Sequence, residues 1–86
     1  MAIRIDTHTL ERAAERGTDP EEILDVIETG VPIPARSCRL GKAKVYAFGR
    51  ERNGRYYEHK RVEVLYTMEG EVTITVTVYV FYGKWD

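Results

Sequence analysis

Residues 71–82 alternate between two kinds of side chain, and no other run constrains the fold as strongly. Val72, Ile74, Val76, Val78 and Val80 fall on one side, and Thr73, Thr75, Thr77, Tyr79 and Phe81 on the other. A period of two marks a strand, because successive side chains of extended backbone point to opposite faces. β-Branched and aromatic residues suit such a half-buried, pleated surface. The valine face is expected to pack under helices. The threonine–aromatic face is expected to meet water, a ligand or a partner.

The pairing partners lie upstream. Residues 44–50 alternate, with Tyr46 and Phe48 on one side and Val45 and Ala47 on the other. Residues 60–68 form a further strand, Asn53-Gly54 marks one turn and Glu69-Gly70 the next. Ile3 and Ile5 fit a short opening strand. Asp6 or Thr7 then caps a helix over residues 8–16, ended by Gly17. Leu10, Ala13 and Ala14 are its expected apolar stripe. A second helix has Asp19 as cap, Pro20 as first residue, Glu22 three beyond the cap, and Gly30 as its stop. Ile23, Leu24, Val26 and Ile27 supply its apolar face. Val31-Pro32-Ile33-Pro34 reads as an extended linker, since proline disfavours helix in the residue before it. The order predicts one α+β domain over residues 1–86. Its helical hairpin spans about 7–30 and packs on one face of a small antiparallel sheet spanning about 36–82.

Composition bounds the function. Eighty-six residues, 43% of them hydrophobic, suffice for one modest core. No apolar run approaches the ~20 residues of a membrane-spanning helix. The first six residues lack the apolar stretch of a signal peptide, so the expected location is the cytoplasm, away from membranes. Cys38 is the only cysteine, so it forms no intrachain disulfide. Arg36 and Arg39 nearby favour its thiolate, while a lone cysteine more often simply packs. The net charge of −1 argues against strong nonspecific nucleic-acid binding. Basic residues nevertheless concentrate between Arg36 and Arg61, and acids in residues 11–28 and 69–71, so one face can be basic.

Three constellations could carry chemistry. His8, Arg12 and Arg16 recur every four residues, which stacks them on one helix face able to grip a phosphate or carboxylate. The helix dipole there favours a neutral imidazole that could act as a base. The same row also fits an ordinary solvated face with Glu15 as an ion-pair partner for Arg12. The segment Arg55-Tyr56-Tyr57-Glu58-His59-Lys60-Arg61 interleaves cations with aromatics, as RNA-binding surfaces do, and as charged strand edges do. Tyr79, Phe81, Tyr82 and Trp85 form an aromatic cluster suited to core or interface packing. His8, His59 and Cys38 lack metal-ligand spacing, and there is no phosphate-cradling glycine loop or nucleophile elbow, so neither metal nor cofactor is expected.

The stretch His8-x3-Arg12-x3-Arg16-Gly17, followed by Pro20-Glu21-Glu22-Ile23 and Gly30, resembles the signature of an uncharacterised bacterial and phage domain family. Lys60-x-Val62-x-Val64 and Thr75-Val76-Thr77-Val78-Tyr79 fit its strand pattern. That family is similar in element order to the RelE/ParE toxin superfamily. The resemblance implies a toxin-like, metal-independent ribonuclease. His8 would then serve as base or acid, Arg12 and Arg16 as phosphate ligands, Lys60 as an assisting cation, and Tyr79 as a stacking group or proton donor. Arg55, Tyr57 and Arg61 would help bind RNA. The superfamily also contains members that inhibit a partner without cutting RNA. A noncatalytic protein-binding module, with an antitoxin, another protein or a second copy as partner, is the alternative.

Overall fold

A computed structural model describes residues 2–37 and 39–85; Cys38, and with it the question of its thiol, lies outside them. The chain order is β1 (Ala2–Arg4), α1 (Thr7–Arg16), α2 (Pro20–Thr29), β2 (Val31–Ile33), β3 (Leu40–Arg52), β4 (Arg55–Glu69) and β5 (Val72–Gly83). The strands form one sheet in the order β1-β5-β4-β3-β2. The fold is α+β, as expected. The sheet is mixed rather than purely antiparallel, because β1 pairs parallel with the start of β5. The segment read as a linker supplies β2, which pairs Val31, Pro32 and Ile33 with Ala43, Lys42 and Gly41. Proline is tolerated there because β2 is an edge strand.

Local signals set the helix ends. Asp6 accepts a hydrogen bond from the Thr9 amide, and Gly17 closes α1 with φ 94°. Asp19 accepts from the Glu22 amide at 2.8 Å, with Pro20 at the head of α2. Asn53 and Gly54 both have positive φ, 53° and 79°, the geometry of a tight two-residue hairpin. The core lies between the helices and the sheet. Ala13, Ile23, Val26, Ile27, Val62, Val64 and Val78 are buried there, with Ile3, Ile5, Tyr46 and Val80 packed against them. Each buried valine or isoleucine contributes on the order of 1.5–3 kcal/mol.

Two expected faces turn out differently. On α1, Leu10 is 41% exposed and Ala14 is also exposed, while Thr9 and Ala13 are buried. The helix turns this way because it lies over threonines. Thr75 donates to the Asp6 carboxylate at 3.1 Å, Thr9 donates to the same oxygen, and the Asp6 amide donates to Thr75. On β5 the alternation reverses partway. Leu65 pairs with Thr77 and Tyr66 with Thr75, so Val76 is an extra residue in a bulge. Before it, Thr73 and Thr75 turn toward the helices. After it, Val78 and Val80 do. The expected all-valine inner face therefore exists only in the second half of the strand. On α2, Leu24 is 37% exposed and leaves the apolar face to Ile23, Val26 and Ile27.

Candidate functional site

Near the β3–β4 turn, β3 carries a second bulge. Pairing jumps from Ala47–His59 to Arg50–Tyr57, and Gly49 adopts φ 60°. Beyond it, Arg50 lies opposite Tyr57 and Arg52 opposite Arg55. Like charges directly across a ladder cost about 0.2–1 kcal/mol. Each arginine sits against a ring. The Arg50 guanidinium is 4.7 Å from the Phe48 centroid, that of Arg52 is 5.0 Å from Tyr82, and that of Arg55 is 5.9 Å from Tyr57. A stacked guanidinium keeps its in-plane N–H groups free for an anion.

Tyr82 is the hub. Its ring meets Phe48 edge-on at 5.1 Å and Tyr57 at 5.5 Å. Its hydroxyl donates to the Arg16 carbonyl at 2.6 Å, which fixes it to the end of α1. Burial raises its pKa, against the opposing pull of Arg52, so the phenol stays protonated. Arg52 also donates to the Glu15 carbonyl at 3.0 Å. Two adjoining clefts share Tyr82. One, of about 230 Å³, is lined by Gly17, Phe48, Arg50, Glu51, Arg52 and Tyr82. The other, of about 460 Å³, is lined by residues 55–58 and 82–84. Among the described residues, Arg50 and Arg55 have no ion-pair partner.

The residues singled out in the sequence separate. His8 is exposed on the first turn of α1 and lines neither cleft. It stands eight residues from Arg16, roughly 12 Å along the helix. Arg12 donates to both Glu15 carboxylate oxygens, at 2.9 and 3.2 Å. Arg16 donates to the Val78 carbonyl at 2.6 Å and lies 5.0 Å from the Tyr79 ring, so these two meet at the open edge of β5. Lys60 is buried, donating to Glu22 at 2.7 Å and to the Gly17 carbonyl at 2.9 Å. Arg61 pairs with Glu63 at 2.9 Å on the sheet face away from the helices. Arg55 and Tyr57 line the larger cleft.

The sequence marks none of Phe48, Arg50, Glu51 and Arg52 as site residues, and Tyr82 only as one of an aromatic cluster. One sequence signal does reach most of them. A two-residue Asn53-Gly54 turn sets Arg52 opposite Arg55 at once, and so gathers the arginines at one end of the hairpin. No cluster of three or more metal-ligating side chains occurs among the described residues. No helix of the described chain is long and apolar enough to cross a membrane. No protein family, curated protein or solved structure matches the chain.

Proposed function

We propose that the two clefts around Tyr82 bind single-stranded RNA, and that the protein is a toxin-like, metal-independent ribonuclease of RelE type. Two helices on one face of a small sheet agree with the element order of the RelE/ParE superfamily. The observation that carries the reading is the opposed pair Arg52 and Arg55 beside Arg50, each against a ring. A phosphate between these cations offsets their repulsion, and neighbouring bases stack on the exposed Tyr56 and half-buried Tyr57. For cleavage, the ribose 2′-oxygen attacks phosphorus and the bond to the 5′-oxygen breaks. Glu51 points to the opposite face of β3 from Arg50 and Arg52, so the 2′-hydroxyl proton passes to water. Arg50 and Arg52 stabilise the charge gathering on the phosphate oxygens. The departing oxygen takes its proton from water.

Binding and cleavage are separable in one experiment. A labelled single-stranded RNA is titrated by anisotropy in EDTA and then followed on a gel. Arg50→Ala and Arg52→Ala are each expected to weaken binding about tenfold, the loss of one charge-assisted contact. Glu51→Gln is expected to keep both binding and cleavage, while Arg50→Ala loses cleavage even at saturating RNA. RNA that neither binds nor is cut overturns the reading. Binding without cleavage by the wild type removes the nuclease and leaves an RNA-binding domain. Cleavage that survives Arg50→Ala but is lost in His8→Ala moves the reaction to α1.

A further inference from the structure

The chain that joins β2 to β3 lies beside β4 and β5 and makes a cleft with them. The Arg39 amide donates to the Arg36 carbonyl at 3.2 Å, and Ser37 holds a φ of 58°, a left-handed conformation uncommon for serine. Arg36 and Arg39 line the same cleft, of about 330 Å³. Ile33, Pro34, Ala35 and Leu65 give it apolar walls, and Glu63 and Tyr79 complete it. A side chain at position 41 would meet Ile33 at 3.0 Å and Leu65 at 3.1 Å, so Gly41 is what lets these two close together.

The polar groups of this cleft are unbalanced. Among the described residues, Arg36 and Arg39 have no ion-pair partner, and the Tyr79 hydroxyl has no hydrogen-bond partner. The carboxylate in the lining, Glu63, is already held by Arg61 at 2.9 Å. The Arg16 guanidinium, 5.0 Å from the centre of the Tyr79 ring, adds further positive charge. The cleft thus offers donors and cations above an apolar floor, with its acid engaged elsewhere.

We propose that this cleft binds a small phosphate monoester carried on an apolar, ring-sized body. The planar forks of Arg36 and Arg39 match phosphate oxygens, and the Tyr79 hydroxyl donates to a further one. A phosphate monoester carries roughly −1.5 to −2 charge at pH 7, which two guanidiniums balance. A carboxylate has two oxygens and one charge, and leaves a guanidinium unmatched. The body of the ester lies on Ile33, Pro34 and Leu65. The volume falls near the lower end of the ~300–1,000 Å³ of small-molecule sites, which suits one ring and its phosphate. The site is separate from the RNA reading, because none of its lining residues lines either cleft around Tyr82. From Tyr57 to Glu63, the two sites stand roughly 20 Å apart along β4.

Isothermal titration calorimetry of the full chain with phenyl phosphate tests the proposal. Binding is expected with a Kd of about 1 mM or tighter. Arg36→Ala and Arg39→Ala are each expected to weaken it about tenfold, the loss of one charge-assisted contact, and Tyr79→Phe about threefold. Inorganic phosphate lacks the apolar body and benzoate lacks the third oxygen and second charge, so each is expected to bind about tenfold more weakly. Arg50→Ala, in the smaller cleft beside Tyr82, is expected to leave phenyl phosphate binding unchanged. Arg36 and Arg39 are exposed, so their replacement leaves the fold intact, and circular dichroism checks this. In isotope-labelled protein, titration is expected to shift the amide resonances of Arg36, Arg39, Glu63 and Tyr79. Absence of heat and of shifts up to about 10 mM phenyl phosphate overturns the proposal. So does affinity that survives both arginine substitutions, and so do shifts confined to residues 48–58. Inorganic phosphate or benzoate binding as tightly as phenyl phosphate also overturns it.

Discussion

Lys60 shows how little a single letter says about its surroundings. It stands beside Arg61 in a strand, and by pattern either could face water. The sheet sends Lys60 inward, where Glu22 and the Gly17 carbonyl hold its ammonium and Thr18 donates to the same Glu22 oxygen at 2.8 Å. Arg61 goes to the other face and pairs with Glu63. Lys60 thereby ties β4 to the start of α2. Its charge is already occupied by two acceptors, so it has little left for a substrate phosphate. Lys60→Met is expected to destabilise the protein by about 1–3 kcal/mol, the cost of leaving a partly buried acceptor set without its cation. Urea unfolding measures that cost, and RNA affinity of the folded variant should stay at the wild-type value. A stable variant that had lost RNA binding would instead return Lys60 to the site. The sequence could not separate these roles. Lysine next to arginine is informative only once the register is known, and register depends on distant partners, here Tyr46 and Tyr82.

Elements were legible where their signals are local. Both helix caps, the glycine stop of α1, the Asn53-Gly54 turn and the three long strands follow from neighbouring residues, and all are present. Faces were less legible. The bulge at Val76 has no marker in its own sequence, because Thr75-Val76-Thr77 continues the alternation unbroken. It arises from the match between β5 and β4, and it turns two threonines toward α1. The bulge at Gly49 does carry a marker, since glycine accepts positive φ. That bulge places Arg50 and Arg52 at the clefts. Gly17 has a further duty. A side chain there would meet the Tyr82 hydroxyl and the Arg52 guanidinium, and its φ of 94° disfavours any other residue. Gly17→Ala is expected to cost about 2–4 kcal/mol, from left-handed strain plus overpacking. Gly54 shares a positive φ of 79° but has open space around it. Gly54→Ala should cost only about 1 kcal/mol. Thermal unfolding of the pair separates crowding from strain, and equal losses would show that Tyr82 does not pack on the end of α1.

On the scale of the whole molecule, the helical layer is fastened to the sheet through groups that titrate. Asp6 joins α1 to β5 through Thr75. Asp25 joins α2 to β3, accepting from Lys44 at 2.7 Å and from Tyr46 at 2.6 Å. Tyr82 joins β5 to the end of α1. For Asp6, burial pulls the pKa upward, but donation from the Thr9 hydroxyl and amide and from Thr75 outweighs it, and the pKa falls below its ordinary 3.8. Asp25 is lowered chiefly by the Lys44 and Tyr46 hydrogen bonds. Burial and the Asp25 carboxylate raise Tyr46 well above its ordinary 10.0, and burial also raises Tyr82. A carboxylate lowered in the folded state stabilises above its unfolded pKa, and that stabilisation is lost as pH falls through the folded value. A phenol raised in the folded state stabilises below its unfolded pKa, and that stabilisation is lost as pH rises toward the folded value. Stability should therefore be flat between about pH 5 and 9, falling below about 4 and again above about 10. Tyr46→Phe tests both limbs, because it removes one phenol and one donor to Asp25. Denaturant midpoints measured across pH should show a shallower alkaline fall and a shallower acid fall than the wild type. A profile that superimposes on the wild type at both ends would mean that the Asp25–Tyr46 contact does not fasten α2 to the sheet in solution.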